Sequence, residues 1–456
     1  MAKETQKHKH TPDMTSGTIV GPLLFFILPI IGSSIFQQLY NTVDFIFIGN
    51  MLDRTAAAAV GASSALVYCC IGLFSGISVG TGVVIAQAIG AKDDARADRA
   101  LHTSAGFSLL GGIVLSTVTI VFAPGILRLL NTPVSVIPQA VVYMRLYMLS
   151  APAMIFYNMC AGALRATGDS DTPFHILALC GLINVAADAL FLLVIPMGVA
   201  GVALATLLSQ VLSAVLAILA LRRKGGSLHL RAREIRIDAA ILREVLRIGL
   251  PAGFQALVIT VSNIIVQYYI NAFGETDVAA FAAYYKVENF IYLPIMAFGQ
   301  AATTFVGQNF GARQMRRVMH GSNLTLLMCI AVTVCISGLI LLFPETVLGW
   351  FMKDSAVVKR AVLIACVSFP FYWLYAFLEV YGGALRGMGN SLGPMVIILS
   401  NVCALRIALL AIFSHTVGTL RSIASVYPIT WGGAALCFII AFWLTMKKYK
   451  SEIRNT

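Results

Sequence analysis

The chain has 456 residues, of which 59% are hydrophobic and only 11% are charged. Soluble domains carry about 25% charged residues, so this composition excludes an ordinary soluble protein and predicts a polytopic protein embedded in the lipid bilayer. The net charge of +12 does not indicate nucleic-acid binding. The basic residues occupy short segments between apolar runs, where they set the topology and meet anionic headgroups.

Twelve apolar runs are each long enough to cross a bilayer as a helix. They cover 19–48, 56–88, 101–124, 139–163, 173–194, 199–221, 247–272, 278–308, 320–343, 357–384, 394–414 and 424–446. Only helices suit spans of this length, because every backbone polar group inside the lipid must be paired internally. The predicted fold class is an all-α integral membrane protein with twelve transmembrane helices.

Lys and Arg are distributed unevenly over the connections between these spans. If both termini lie on one side, that side carries most of the 32 basic residues, including a cluster from Arg222 to Arg247. Basic connections stay in the cytoplasm, so both termini are predicted to be cytoplasmic. The cluster is predicted to include an amphipathic surface helix and to separate two halves of the chain.

The two halves repeat each other. Residues 162–170 (GALRATGDS) recur as 383–391 (GALRGMGNS), and Gln87 recurs as Gln308 at the same offset. Further pairs at nearly the same offset are Gly90 with Gly311 and Leu28-Pro29 with Leu250-Pro251. A repeat of six spans gives both halves the same orientation, which predicts two six-helix bundles with a cavity between them. The predicted organisation is a cytoplasmic tail at 1–18, an N-lobe at 19–221, a basic cytoplasmic linker at 222–246, a C-lobe at 247–446 and a cytoplasmic tail at 447–456.

Span 1 carries a polar face. Gln37, Asn41 and Asp44 are spaced i, i+4 and i+7, so they share one side of a helix. A carboxylate inside the bilayer is costly and is a functional candidate by default. Pro29 in the same span removes a helix hydrogen bond and favours a bend. Span 1 is therefore predicted to be a bendable helix that carries a buried acid.

Span 5 places Asn184 and Asp188 one turn apart on one helix face, and span 6 adds the hydroxyl of Thr206. If spans 1 and 5 pack together, Asp44 completes an oxygen-rich cluster that suits Na⁺ or H⁺ rather than a transition metal. The alternative is a structural hydrogen-bond network between helices. The equivalent positions of the C-half are apolar, which restricts the predicted cluster to the N-half: Ile265, Leu405 and Leu409.

The spans of the C-half contain two other acids, Glu288 and Glu379. Either acid could contact a cationic substrate. The structural alternatives are a pair between Glu379 and Arg406 in the next span, and a position for Glu288 near the outer interface with Lys286.

The chain resembles the multidrug and toxic compound extrusion (MATE) family of cation-coupled exporters over nearly its whole length, from Met14 to Met446. The motifs that carry the resemblance are Leu28-Pro29, the segment from Gln38 to Asp44, Gln87 with Gly90-Ala91, the Leu-Arg-x-x-Gly-x-Ser element of both halves, and Asn184 with Asp188. The chain is most similar to the bacterial branch that has an acidic site in the N-lobe.

The resemblance implies a V-shaped pair of bundles and a helix 1 that bends at Pro29. It also implies a cation-coupling site, which would bind H⁺ or Na⁺, made of Asp44, Asn184, Asp188 and Thr206, with Gln37, Asn41, Tyr143 and Asn158 as the supporting network. A second branch uses a C-lobe coupling site with an acid in helix 7. Span 7 of this chain has no acid, so Gln255 is retained only as a candidate substrate contact, together with Glu288 and Glu379.

The predicted function is secondary active export of organic cations or amphipathic drug-like compounds against H⁺ or Na⁺ influx, by alternating access. The resemblance implies a functional monomer in the bacterial inner membrane, without a cofactor, that confers antibiotic resistance. A flippase for lipids or lipid-linked oligosaccharides is the alternative, although anionic headgroups call for a cavity lined by Arg and Lys. The sequence contains neither GxxxxGK[ST] nor HExxH, which argues against ATP-driven transport and against a membrane enzyme.

Overall fold

The computed structural model describes residues 14–223 and 228–449. Parts of the predicted tails (residues 1–13 and 450–456) and of the predicted linker (224–227) lie outside the described residues, as do the side chains of 64–71 and 73. The described part of the chain is almost entirely helical and contains no β-strand.

Twelve long helical segments follow one another and are numbered helix 1 to helix 12. Helices 1–6 form the N-lobe: Val20–Met51, Arg54–Gly90, Asp94–Leu129, Ile137–Met148 with Ala151–Ala166, Asp171–Ala189 with the π-helical turn Leu190–Val194, and Val199–Arg223. Helices 7–12 form the C-lobe: Ala239–Asn271, Glu275–Gly311, Met315–Leu342, Ser355–Ser368 with Trp373–Gly387, Leu392–Ile398 joined to Arg406–Thr416 by the π-helical segment Leu399–Leu405, and Leu420–Lys448. A short helix, Pro344–Gly349, lies between helices 9 and 10.

Within the described residues, nine of these segments are single helices long and apolar enough to cross a membrane, and helices 4 and 10 reach that length as bent pairs. Helix 2 has 37 residues and is therefore about 55 Å long at about 1.5 Å per residue. In the N-lobe, helix 1 packs on helix 5 and helix 2 packs on helix 4. The equivalent helices of the C-lobe make the same contacts, helix 7 with helix 11 and helix 8 with helix 10. The predicted fold class, an all-α membrane protein built from two repeated six-helix lobes, is confirmed.

The helices are longer than the predicted spans, because their ends continue past the apolar runs into capped polar turns. Helix 3 begins at Asp94 and not at the predicted 101, since the Asp93 carboxylate accepts a hydrogen bond from the Arg96 N–H at 2.9 Å. Helix 7 begins at Ala239, inside the predicted linker, where Asp238 accepts two backbone N–H bonds. Hydropathy therefore identifies the membrane-embedded part of each helix but not its ends.

Two helices bend at proline. Helix 4 changes direction by 41° just before Pro152, and helix 10 by 50° at the 3₁₀ turn that contains Pro370. Proline removes a backbone donor and its ring clashes with the preceding turn. Both bent helices pack inside their lobes, where the bends shape the cavities described below.

The described part of the linker, 228–238, lies against the end of helix 3. The Thr103 hydroxyl accepts a hydrogen bond from the Asp238 N–H at 3.2 Å and donates to the Arg236 carbonyl at 3.4 Å. Leu228 and Leu230 are buried. The predicted amphipathic surface helix is wrong for these residues, because the docked segment contains only a three-residue 3₁₀ turn.

The lobes meet where helix 2 crosses helices 7 and 8. A Cβ on Gly76 would overlap the backbone of Gly249 and Gly253 in helix 7, and a Cβ on Gly90 would overlap the backbone of Gln308 in helix 8. Small residues let helix backbones approach this closely inside a membrane. Glycine is therefore required at these crossings by geometry.

Two side-chain hydrogen bonds join the lobes at the same end of these helices. Gln87 Nε2 in the N-lobe donates to the Gly387 carbonyl at 2.8 Å, and Gln308 Nε2 in the C-lobe donates to the Ala166 carbonyl at 2.7 Å. The internal repeat relates both donors and both acceptors. The lobes are thus locked together at the end that the distribution of Lys and Arg predicts to be cytoplasmic.

Candidate functional site

Helices 1 and 5 pack against each other along the polar face of helix 1. The rings of Phe36 and Phe174 meet edge to face with centroids 5.8 Å apart. Gly181 leaves room for the ring of Tyr40, since an added Cβ would lie 3.0 Å from that ring. This contact brings the polar positions of the two helices together.

A cavity of about 490 Å³ lies in the N-lobe. The polar residues that the sequence predicts for this lobe line it together: Gln37, Asn41, Asp44, Tyr143, Asn158, Asn184 and Thr206. Asp188 lies behind this wall and has no exposed surface. Pro29 lies in helix 1 about four turns before Asp44, and helix 1 continues through it without a break.

Asp44 lies at the centre of the acidic cluster. Asn184 Nδ2, with the amide oriented to donate, lies 3.2 and 3.3 Å from the two carboxylate oxygens of Asp44. The opposite amide orientation would set oxygen against oxygen. The carboxyl group of Asp188 lies beside that of Asp44, and neither Asp188 oxygen has a hydrogen-bond partner in the described part of the chain.

Two carboxylates in contact inside a protein repel each other strongly, because the low dielectric screens their charges poorly. A proton or a Na⁺ held between Asp44 and Asp188 removes this repulsion. The carboxylate oxygens of Asp44 and the unpartnered oxygens of Asp188 are hard oxygen ligands, which suit such a cation, while the Asn184 amide donates to Asp44. The cluster can therefore hold a small monovalent cation at the cavity wall.

The other predicted members line the same cavity. The Thr206 hydroxyl donates to the Val202 carbonyl at 3.2 Å, so its oxygen retains a lone pair for a ligand. Tyr143 is buried, with its ring centroid 5.7 Å from that of Tyr147. The Asn158 side chain lines the cavity. Together they give the cavity a polar wall beside the acids.

Sequence reasoning missed a basic residue of this cavity. Arg165 follows the apolar run of span 4, a position that the sequence pattern predicts to be a cytoplasmic connection, but it lines the N-lobe cavity. Its repeat equivalent, Arg386, is also inside its lobe, with a side chain that is 11% exposed. The shared Leu-Arg-x-x-Gly-x-Ser element was the available signal. Gln300 of helix 8 lines the same cavity, so the C-lobe contributes to it.

Glu288 of helix 8 lines a separate C-lobe cavity of about 240 Å³. It accepts a hydrogen bond from the Tyr372 hydroxyl at 3.0 Å. The alternative of a position beside Lys286 is not the observed one, because residues two apart on a helix point in different directions. Lys286 is exposed on another face.

Glu379 is paired within its own helix. Its Oε2 lies 3.7 Å from Nη2 of Arg386, two turns further along helix 10, and Nη1 of Arg386 donates to Gln255 Oε1 at 3.5 Å. The alternative of a pair with Arg406 is replaced by this pair with Arg386, and Arg406 lines the cavity of Glu288. Substrate contact by Glu379 or Gln255 stays a prediction.

Asp98, His102 and Glu234 form another group whose ligand atoms lie within 4.8 Å of one another. His102 Nε2 accepts from the Arg231 N–H at 3.1 Å, which places the ring proton on Nδ1, facing the Asp98 carbonyl at 2.9 Å. A hydrogen bond from the Arg231 side chain lowers the pKa of Glu234. Because both ring nitrogens are engaged, the group is better suited to docking the linker than to holding a metal.

The sequence also contains the GxSxG pattern twice, at 76–80 and at 389–393. In hydrolases this pattern forms a sharp strand-to-helix turn that exposes the serine. Here the first copy lies inside helix 2 and the second joins helix 10 to helix 11, and both Ser78 and Ser391 are buried. Neither copy therefore forms the turn that a hydrolase uses.

A model of the MatE family matches residues 29–190 and 251–412, which correspond to the two halves of the repeat. Probable multidrug resistance protein YpnP of Bacillus subtilis is 29% identical over 410 residues, which are 89% of this chain and 91% of that protein. Probable multidrug resistance protein YoeA of the same organism is 27% identical over 397 residues, 86% of each chain. A crystal structure of MATE in the bent conformation has a TM-score of 0.90 at 23% identity, covering 97% of this chain and 98% of that one, and shows a shared fold. The family match spans well over half of the sequence, and the chain belongs to the MatE family of membrane transporters, which are secondary transporters and not enzymes.

Proposed function

We propose that this transporter exports organic cations or amphipathic drug-like compounds in exchange for H⁺ or Na⁺. It would act as a monomer in the bacterial inner membrane with both termini in the cytoplasm. The names of YpnP and YoeA describe multidrug resistance proteins, which supports drug-like substrates. The observation that carries the proposal is the contact of Asp44 with Asp188 and Asn184 at the wall of the N-lobe cavity.

The proposed coupling is competition for negative charge. With a coupling cation bound, the pair of Asp44 and Asp188 carries less charge and attracts an organic cation weakly. Without it, the pair is charged and attracts either species. Asn184 suits both states, because its amide can donate N–H to a carboxylate or present its oxygen to Na⁺. Bending of helix 1 at Pro29 would connect loading of the site to the exchange of access.

The first prediction is that Asp44→Asn and Asp188→Asn abolish export while the protein stays folded. The amide keeps the shape of the carboxyl group but neither exchanges a proton nor binds Na⁺ strongly. Substrate flux is measured in proteoliposomes with a pH or Na⁺ gradient imposed separately. Asp53→Asn is the matched control, because Asp53 is an exposed helix cap outside the cavity and Asn caps equally well. Full flux by Asp44→Asn would remove the coupling role.

A flippase for anionic lipid headgroups is the second candidate, and Arg165 on the cavity wall is the observation in its favour. A flippase would move a fluorescent lipid with an anionic headgroup between leaflets in the same proteoliposomes, and Arg165→Gln would stop it. An exporter of organic cations leaves that lipid in place.

A further inference from the structure

The C-lobe cavity differs in character from the cavity of the N-lobe. Its wall is built largely from aromatic side chains: Tyr285, Tyr292, Tyr372, Tyr375, Tyr427 and Trp431. The ring centroids of Tyr372 and Tyr427 lie 4.7 and 5.7 Å from that of Trp431, so these rings form one continuous surface. At about 240 Å³ the cavity is smaller than a typical drug site of about 300–1,000 Å³. It has the size of one ring system with short substituents.

Arg406 brings a positive charge into this cavity. The residue is 3% exposed, and its Nε has no hydrogen-bond partner among the described residues. Its guanidinium carbon lies 4.9 Å from the centroid of the Tyr427 ring. A buried cation without an anionic partner is costly. A ligand carboxylate would satisfy it, because the planar guanidinium binds carboxylates through two parallel hydrogen bonds.

The backbone is unusual at the same point. Arg406 begins the last α-helical part of helix 11, directly after the π-helical segment Leu399–Leu405. π-helical insertions rotate the residues that follow and occur frequently at functional sites. The insertion therefore contributes to the direction in which helix 11 presents Arg406.

Glu288 supplies the opposite charge. It lines the cavity with Arg406 and accepts from the Tyr372 hydroxyl, but no ion pair joins Glu288 to Arg406 in the described part of the chain. The two charges thus stand apart in one aromatic cavity. We infer that the C-lobe cavity binds an aromatic zwitterion, with its carboxylate on Arg406, its ammonium group on Glu288 and its ring against Trp431.

Ligands with a single charge fit less well. A cationic aromatic compound would pair with Glu288 and leave Arg406 without an anion. An anionic compound would pair with Arg406 and face the Glu288 carboxylate. This cavity is separate from the acidic cluster of the N-lobe, and its test measures binding without an ion gradient. Its outcome is therefore independent of the proposed export function.

The probes are 4-(aminomethyl)benzoate, which carries its two charges at opposite ends of one ring, its methyl ester, which is a cation, and its N-acetyl derivative, which is an anion. Binding to the purified full-length protein is followed through the fluorescence of Trp431. The other three tryptophans are replaced by Phe so that only Trp431 reports: Trp350, Trp373 and Trp443. Trp350 and Trp443 are exposed, so their replacement does not disturb the core.

We expect the zwitterion to bind at least about tenfold more tightly than the ester or the N-acetyl compound, since a charge-assisted hydrogen bond contributes about that factor. Arg406→Gln should lose this binding, and Glu288→Gln should remove the preference for the zwitterion over the N-acetyl compound. Arg406→Lys keeps the charge without the bidentate geometry and should bind the zwitterion at intermediate strength. If Arg406→Gln does not fold, Arg406→Lys is the variant that tests the role of Arg406.

Asp53→Asn is the matched control for site identity, because Asp53 is an exposed helix cap that lines neither cavity, and it should leave the titration unchanged. Equal binding of all three probes would overturn the inference, as would no fluorescence response to any of them. Binding that survives both substitutions of Arg406, with a melting temperature unchanged from the parent protein, would overturn it as well.

Discussion

Asn184 lines the cavity beside Asp44 and is the polar neighbour that reaches this acid. Its amide reaches both carboxylate oxygens of Asp44, whereas the Thr206 hydroxyl is already donated to the carbonyl of Val202. A charge-assisted hydrogen bond is worth roughly twice a neutral one. The two polar neighbours of the acidic pair should therefore differ in their contribution to coupling.

We predict that Asn184→Leu lowers ion-driven flux at least about tenfold, because it removes a charge-assisted bond and leaves Asp44 facing only Asp188. Thr206→Val, which preserves shape and removes a hydroxyl, should lower flux by a few-fold at most. Initial rates in proteoliposomes at matched protein density give the comparison. Equal losses for the two variants would contradict this ranking and place the cation nearer to Thr206.

Glu379 gives a prediction about stability. Its carboxylate and the guanidinium of Arg386 are both largely buried, 7% and 11% exposed. Glu379→Gln leaves Arg386 as an uncompensated charge, which costs about 3 kcal/mol when a buried pair is broken. We expect a lower melting temperature in detergent and a uniform fall in transport of cationic and neutral substrates.

Arg386→Gln combined with Glu379→Gln is the informative control, because removing both charges should recover most of the lost stability. A Glu379→Gln protein of normal stability that loses only its cationic substrates would instead support a direct role in substrate contact.

Residue spacing predicted the acidic cluster well, because Asp44 and the pair Asn184 and Asp188 each lie on one helix face. Helix packing then only had to bring two faces together. Spacing could not predict Arg165 or Arg386, since an arginine that ends an apolar run has the same pattern whether it points into the lobe or into water. The direction of each arginine depends on how helices 4 and 10 bend and pack, and this is not encoded in the local pattern.

At the scale of the element, helix 1 differs from its repeat equivalent. Helix 1 packs mainly on helix 5 of its own lobe, whereas helix 7 is clamped by the glycine crossing with helix 2. Pro29 and Pro251 occupy equivalent places in helices 1 and 7. The same proline should therefore allow motion in helix 1 and only local curvature in helix 7.

We predict that Pro29→Ala slows transport by about tenfold, because a proline in a helix interior changes the backbone free energy by about 3 kcal/mol and part of this enters the conformational step. Equilibrium binding of substrate should change little. Pro251→Ala is the matched control and should transport at nearly the normal rate. Stopped-flow measurement of substrate release checks the rate, and equal rates for Pro29→Ala and the parent protein would remove the hinge.

Hydropathy predicts the membrane helices of this chain but not the structure of its linker. The twelve segments were predictable, because lipid imposes a minimum length of apolar helix. The structure of the linker was not. Its docking on helix 3 depends on the hydrogen bonds of His102 and Thr103, which connect residues more than a hundred positions apart and leave no periodic signal in a window of sequence.

At the scale of the whole molecule, the scaffold is symmetric and the chemistry is not. The repeat reproduces the helix order, the close approach of Gly90 to Gln308 and of Gly311 to Gln87, and the reciprocal glutamine bonds. The acidic cluster of helices 1 and 5 has only apolar residues at the equivalent positions in helices 7 and 11, where Ser262 instead donates to the Val402 carbonyl at 2.7 Å. The two glutamine bonds form a symmetric seal between the lobes. This seal can therefore open and close in the same way for both lobes, although different side chains line their cavities.

The last prediction concerns this seal. Gln87→Ala and Gln308→Ala each remove one hydrogen bond between the lobes, worth about 1 kcal/mol. Each should therefore raise the population that is open at the predicted cytoplasmic end about fivefold. Because the two bonds are equivalent by the repeat, the two variants should have equal effects, and the double variant should combine them. Gln267→Ala is the matched control, since within the described residues Gln267 donates to Asn271 on the same helix and to no residue of the N-lobe.

Spin labels at Lys92 and Arg313 report the opening. These residues are exposed, follow helices 2 and 8 directly, and share the left-handed backbone conformation at φ 57° and 58°. Their distance distribution should gain a longer component in each single variant and a larger one in the double variant. An effect of only one glutamine would show that the seal is asymmetric, because the same bond would then carry different weight in the two lobes. Transport rates of the same variants would connect opening of the seal to function. A moderately destabilised seal should speed the exchange of access, whereas a closed state that is too rare should slow the complete cycle.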